Sequence, residues 1–200
     1  ALISSIFFSI MPIFLQRTMA GIPEKESSAF FFFFLALYFF LSAWKEEKFK
    51  KQIIFAILSG ISTSILALIW GGVGLLFFLI SPLILISYFL GHLTKERVYI
   101  SLIWLLSTIF ITSPFATRYS LKVLFISTFT LIILSVIISF FIEKSFSRKK
   151  IEKYTNSKYL SKIPPKILAF IITMLLGIAL ISIVLGPSYI IQEIMVLIDA

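Results

Sequence analysis

The feature that most constrains this chain is a series of six long stretches without a charged side chain. A helix that crosses the roughly 30 Å core of a bilayer needs about 20 apolar residues, and each stretch is close to that length. None alternates apolar and polar residues as the strands of a membrane barrel do. We therefore predict an all-α fold, a polytopic transmembrane helical domain with about six full spans: Ser27–Trp44, Ile53–Ile69, Trp70–Leu90, Val98–Thr117, Val123–Ile142 and Ile167–Leu185.

The two ends of the chain differ from the six full spans. Ala1–Gln16 is apolar but lacks the basic start of a signal peptide, so it is interpreted as a partial N-terminal span that begins upstream. Residues 186–200 mix apolar and acidic side chains, which is typical of a helix lying at the membrane interface. We expect residues 1–185 to form the transmembrane domain, residues 186–200 to begin an external loop, and the whole to be an internal fragment of a longer protein.

Composition supports a membrane protein over the alternatives. Hydrophobic residues make up 60% of the chain and charged residues 14%, whereas soluble proteins have about 45–50% and about 25%. The chain contains 0 cysteines, which excludes a disulfide scaffold.

The charges are distributed unevenly across the predicted membrane. Alternation of the spans puts 14 of the 18 Lys and Arg residues on the same side, which the positive-inside rule assigns to the cytoplasm. This topology accounts for the net charge of +9 through contact with membrane lipids, so we expect no nucleic-acid partner. The predicted spans contain no Asp, Glu, Lys, Arg or His, which disfavours an ion-coupled transporter.

Small residues in the second span predict close helix packing. Ala56, Gly60, Ser64 and Leu68 recur every four residues, and small residues on one face allow two helices to approach in lipid. A polar cavity wall is the alternative. The Gly71–Gly72 pair that follows predicts a tight chain reversal between the second and third spans.

Two carboxylates on the opposite side from the basic loops are the candidate chemical site. Glu24 and Glu26 follow Pro23, which favours extended backbone before it, and residues two apart in an extended segment face the same way. Together they could offer several oxygens to a hard cation, Mg²⁺ or Mn²⁺. The alternative is that they only complement the N-terminus of the first full span, where negative charge is favoured. Arg17 lies nearby and suits either a carboxylate or a phosphate partner.

The succession of motifs along this part of the sequence resembles that of a known family. The pattern consists of an external loop with Arg, Ala-Gly and two acidic residues, an aromatic-rich span, a basic loop, a Gly/Ser-rich helix and Trp-Gly-Gly. It resembles the catalytic subunit of oligosaccharyltransferase, of the archaeal type, within the C-type glycosyltransferases. The matching positions are Arg17, Ala20, Gly21, Glu24, Glu26, Trp70, Gly71 and Gly72.

The resemblance implies a fold, a reaction and a site. The implied reaction transfers a lipid-linked oligosaccharide, carried on polyprenyl phosphate or pyrophosphate, to the Asn of an Asn-x-Ser/Thr sequon in an acceptor polypeptide. Glu24 and Glu26 would be metal ligands for Mn²⁺ or Mg²⁺, although the family usually has Asp at the first position. Arg17 would contact the substrate. No catalytic residue is assigned within the chain, because the family's first acidic motif, catalytic loop and soluble domain would lie outside it.

Two other functions remain open at this point. Another polyprenyl-phosphate-sugar-dependent membrane glycosyltransferase would share the external acidic pair and the helical domain. A non-catalytic transporter or scramblase subunit would need neither carboxylate. Under the main hypothesis the protein is a multi-pass protein of the cell membrane, with the acidic loop extracytoplasmic and the basic loops cytoplasmic.

Overall fold

The structure is a computed structural model that describes residues 25–115, 127–145 and 164–185. Within those ranges it contains six α-helices and no strand, which confirms the all-α prediction for the described part of the chain. The helices are α1 (Lys25–Lys45), α2 (Phe49–Ile69), α3 (Val73–Phe89), α4 (Lys95–Thr112), α5 (Thr128–Ser145) and α6 (Pro165–Leu185).

Each predicted span corresponds to one helix, with differences at the ends. α2 and α4 begin three or four residues earlier than predicted, since a helix continues into polar residues that an apolar stretch excludes. α4 ends at Thr112 rather than Thr117, because Pro114 has no N–H to donate to a helical carbonyl. Residues 1–16, 123–126 and 186–200, on which other predictions fall, lie outside the described residues.

Length and hydropathy single out two of the described helices as candidate membrane spans. α1 and α2 are 21 residues long, with mean hydropathies of 1.8 and 2.1 in their most apolar windows. α3 and the segment Pro165–Gly177 are apolar but shorter. The described part of the chain is therefore helical and apolar enough for a membrane domain, while six full spans remain a prediction.

The chain divides into two compact units. One contains residues 1–82 and 94–130, and the other contains residues 83–93 and 131–200. The division falls inside α3, directly after Pro82.

In the first unit, α1 and α2 form an antiparallel hairpin. The connection is only three residues long, Glu46–Lys48. The Glu46 carboxylate accepts hydrogen bonds from the backbone N–H groups of Glu47 and Lys48, both at 3.2 Å. The Gln52 amide donates to the Glu46 carbonyl at 2.5 Å. These bonds fix the tight turn, so α1 begins at the end of the hairpin where α2 finishes.

α2 and α4 pack side by side and run in the same direction. Ala56 and Ile100 share one buried cluster, and further along both helices the Ser64 hydroxyl donates to the Thr108 carbonyl at 3.2 Å. Between these points, a Cβ added to Gly60 would lie only 2.5 Å from Ser107 Cβ and 3.1 Å from the Trp104 carbonyl. Gly60 therefore permits the close approach that the small-residue pattern predicts. Leu68 does not share this role, because it is 45% exposed.

In the described part of the second unit, a helix end is well defined and hydrogen bonds connect neighbouring helices. α3 ends in a Schellman motif: Gly91 has a φ of 81°, its N–H donates to Tyr88 O, and the next N–H donates to Ser87 O. The Tyr88 hydroxyl donates to Lys166 O at 3.1 Å, which joins the end of α3 to the start of α6. Ser139 of α5 donates to the Thr173 hydroxyl of α6 at 2.9 Å.

Candidate functional site

Of the three predicted site residues, the structure describes Glu26. It lies in the first turn of α1 and is partly buried. Arg17 and Glu24 lie outside the described residues, so their position relative to Glu26 stays a prediction. An acidic side chain in the first turn of a helix is favoured by the positive end of the helix dipole.

The helix end that carries Glu26 is packed against the end of α2. Phe30, four residues after Glu26 and therefore on the same face of α1, has its ring centroid 5.7 Å from that of Trp70. Trp70 is the C-cap of α2, with extended backbone and an N–H that donates to Leu66 O at 2.8 Å. The two segments that carry the family resemblance, at Glu26 and at Trp70, are thus neighbours in space.

Gly71 and Gly72 follow Trp70, and the sequence predicted that their backbone freedom allows a tight chain reversal. A break between α2 and α3 is confirmed at this point, since α2 ends at Ile69 and α3 begins at Val73. Among the described glycines only Gly91 has a positive φ, so the turn does not use backbone freedom special to glycine. Instead, a Cβ at Gly72 would overlap the six-membered ring of Trp70. Gly72 is needed to leave room for the indole.

The chemistry of Glu26 suits a hard divalent cation, because a carboxylate supplies one or two oxygen ligands. Within the described residues no group of three or more His, Cys, Asp or Glu side chains is close enough to hold a metal ion. Glu26 can therefore contribute only part of a coordination sphere, and further oxygen donors must come from elsewhere, with Glu24 the nearest acidic residue in sequence.

The opposite end of the first unit carries more basic than acidic residues. The α1–α2 turn and the starts of α2 and α4 meet there, since α1 and α2 are antiparallel and α2 and α4 are parallel. This end carries the basic residues Lys45, Lys48, Lys50, Lys51, Lys95 and Arg97, together with the acidic residues Glu46, Glu47 and Glu96. The Arg97 guanidinium lies 5.2 Å from the centroid of the Trp44 ring, in a cation–π arrangement. Glu26 and the basic residues are thus separated by the length of the helices.

A buried polar network between the two ends was not predicted. The Trp104 side chain is fully buried, and its indole N–H donates to Thr63 Oγ1 at 3.0 Å. Thr63 in turn donates to Ser59 O at 2.8 Å, and Ser59 donates to Ala36 O of α1 at 2.8 Å. Hydroxyl residues spaced four apart on α2 were the available signal. These three donors are all satisfied by protein groups, so the network joins α1, α2 and α4.

Comparison with known proteins identifies the family. A family model described as "Oligosaccharyl transferase STT3, N-terminal" matches residues 1–198. No curated protein and no solved structure matches the chain significantly. The match covers nearly the whole sequence, including the Arg17–Glu26 segment and the Trp70–Gly72 turn on which the resemblance rests. The chain therefore belongs to the STT3 family of oligosaccharyl transferases, membrane glycosyltransferases of protein N-glycosylation, and corresponds to their N-terminal domain.

Proposed function

We propose that this chain is the membrane part of an enzyme that transfers an oligosaccharide from a polyprenyl phosphate or pyrophosphate to the Asn of an Asn-x-Ser/Thr sequon. The observation that carries the proposal is the family match over residues 1–198. The placement of Glu26 supports it, because a carboxylate at a helix start beside the Trp-Gly-Gly turn lies away from the basic end of the unit.

Glu24 and Glu26 are the proposed metal ligands, and Mn²⁺ or Mg²⁺ the proposed cofactor. Members of the family generally depend on a metal ion, and the carboxylate donors fit these hard cations. When bound, such an ion supplies Lewis-acid stabilisation of the negative charge that develops on the departing lipid phosphate. Glu26 would be held by the first turn of α1.

Arg17 is proposed to contact the substrate phosphate or to orient the two carboxylates. A guanidinium presents its donors in a planar fork that matches either partner in a bidentate manner. The carboxylates and Arg17 together would bind and orient the donor head group, and the acidic residues that activate the acceptor amide would come from other segments of the full enzyme.

The glycan-transfer proposal is tested with the full-length protein. Purified enzyme, lipid-linked oligosaccharide from the host membrane and a fluorescent peptide containing Asn-x-Thr should give a glycopeptide of lower gel mobility. A peptide with Gln in place of the sequon Asn should give none. Transfer of a single sugar to lipid instead would favour the other glycosyltransferase hypothesis. Absence of any transfer by a folded protein supplied with Mn²⁺ would contradict the proposal.

We further propose that the described helices span the membrane, six in all, with the acidic end of α1 outside and the basic turns in the cytoplasm. The helix directions in the first unit support this, since Lys45–Lys51 and Lys95–Arg97 lie at one end and Glu26 at the other. Such a basic bias is typical of cytoplasmic loops.

Cysteine labelling tests the orientation, because the 200 residues contain 0 native cysteines. In a cysteine-free full-length protein, Lys25→Cys should react with a membrane-impermeant maleimide in intact cells. Lys48→Cys, also exposed and placed in the turn that follows α1, should react only after the cells are opened. The reverse pattern would place the acidic end in the cytoplasm and would contradict the proposed orientation.

A further inference from the structure

Trp70 connects the helix end that carries Glu26 to the turn between α2 and α3. Its backbone is extended, with φ −142° and ψ 133°, so α2 stops there. Its ring lies 5.7 Å from Phe30, at an interplanar angle of 46°. Phe30 is one helical turn beyond Glu26 on the same face of α1. Contact with the indole therefore limits how far the first turn of α1 can move.

Gly72 holds the indole from the other side. A Cβ at this position would overlap the six-membered ring of Trp70, so the ring occupies the space that any larger side chain would need. The Gly72 carbonyl accepts a hydrogen bond from Leu75 N–H at 3.0 Å, which ties its backbone to the first turn of α3. The indole is thus placed between Phe30 of α1 and the start of α3.

We propose that Trp70, seated on Gly72, is a positioning residue that holds Glu26 in the geometry required of a metal ligand. This inference rests on the proposed metal role of Glu26. A ligand at a helix end must be ordered before it can bind with full strength, since the first turn of a helix frays easily. Packing of Phe30 on Trp70 orders this turn without covering the Glu26 carboxylate, because Trp70 contacts Phe30, one turn further along α1.

The test is Mn²⁺ binding to the full-length protein in detergent, followed through the electron paramagnetic resonance signal of free Mn²⁺. Trp70→Ala should weaken binding on the order of tenfold, the range measured when an outer partner of a metal ligand is removed. Gly72→Ala should act in the same direction, because its methyl group displaces the ring. Trp70→Phe keeps an aromatic ring against Phe30 and should retain most of the affinity.

Trp44→Ala is the matched control. Trp44 also contacts a phenylalanine, with its ring centroid 5.7 Å from that of Phe40, but it lies in the last turn of α1, at the basic end. Its removal should leave Mn²⁺ affinity unchanged. An equal loss of affinity in Trp44→Ala would mean that the effect is general destabilisation and would overturn the inference.

The outcomes separate this inference from the proposed function. Normal Mn²⁺ binding by Trp70→Ala and Gly72→Ala, with loss in Glu26→Gln, would overturn the positioning role and leave the metal role intact. Normal binding by Glu26→Gln would overturn both. If a thermal unfolding assay shows that Trp70→Ala does not fold, Gly72→Ala and Trp70→Phe take its place in the test. Loss of Mn²⁺ affinity in Gly72→Ala with retention of affinity in Trp70→Phe supports the inference. Unchanged Mn²⁺ affinity in Gly72→Ala overturns it.

Discussion

The Gly60→Leu variant is expected to lose about 3 kcal/mol of stability, because overpacking at a tight contact costs up to this amount or more. Gly60 lies where α2 approaches α4, and even a Cβ there would be 2.5 Å from Ser107 Cβ and 3.1 Å from the Trp104 carbonyl. Backbone atoms cannot rotate away as a flexible side chain could. The helices must therefore separate, which also strains the hydrogen bonds from Trp104 to Thr63 and from Ser64 to Thr108.

Thermal unfolding of the full-length protein in detergent measures this loss, and Gly74→Leu is the matched control. Gly74 is also helical, but a Cβ there would meet nothing within 4 Å, so its replacement should not lower the unfolding temperature. Ser107→Gly combined with Gly60→Ala should recover part of the stability that Gly60→Ala loses, because it removes the Cβ in conflict. Equal unfolding temperatures for Gly60→Leu and Gly74→Leu would contradict the packing described for α2 and α4.

The second large effect is expected on catalysis. Glu26→Gln should lower kcat/KM for glycopeptide formation by roughly 100-fold or more at fixed Mn²⁺, because a metal ion contributes several kcal/mol to the transition state and each 1.36 kcal/mol is tenfold. Raised Mn²⁺ should restore part of the rate, since the amide oxygen is a weaker ligand than a carboxylate. Rates measured across a Mn²⁺ titration separate this loss of affinity from a loss of fold.

Glu96→Gln provides the matched control for the alternative role of Glu26. Both residues are the acidic side chain in the first turn of a helix, Glu26 in α1 and Glu96 in α4. If Glu26 only complements its helix N-terminus, the two Gln variants should behave alike, each losing about 0.3–1 kcal/mol of stability. Similar activity of the two variants would therefore contradict the metal role.

Much of the fold could be predicted from the sequence because the bilayer imposes a simple requirement. A helix must stay apolar over its length, so each uncharged stretch predicted one helix. The small residues at intervals of four predicted close packing of the second span, and the structure identifies α4 as the helix that approaches Gly60. The helix ends were less accurate, as at Thr112, where the position of a single proline decided the boundary.

The contacts within the site depended on three-dimensional information that the sequence lacks. Trp-Gly-Gly predicted a turn, but nothing in it indicated that Gly72 makes room for Trp70 or that Trp70 reaches Phe30, 40 residues earlier in the chain. Likewise, the residues around Trp104 in the sequence do not indicate that its indole N–H donates to Thr63, which lies on another helix. Such pairs arise from the register between helices, which no local pattern specifies.

Direct measurement of Mn²⁺ binding tests the central claim, that the acidic end of α1 holds a divalent metal ion. Free Mn²⁺ is titrated by electron paramagnetic resonance into the full-length protein, the combined Glu24→Gln and Glu26→Gln variant, and Glu96→Gln. We predict tight binding by the native protein and by Glu96→Gln, and loss of that binding in the combined variant. Undiminished Mn²⁺ affinity in the combined variant would contradict the account.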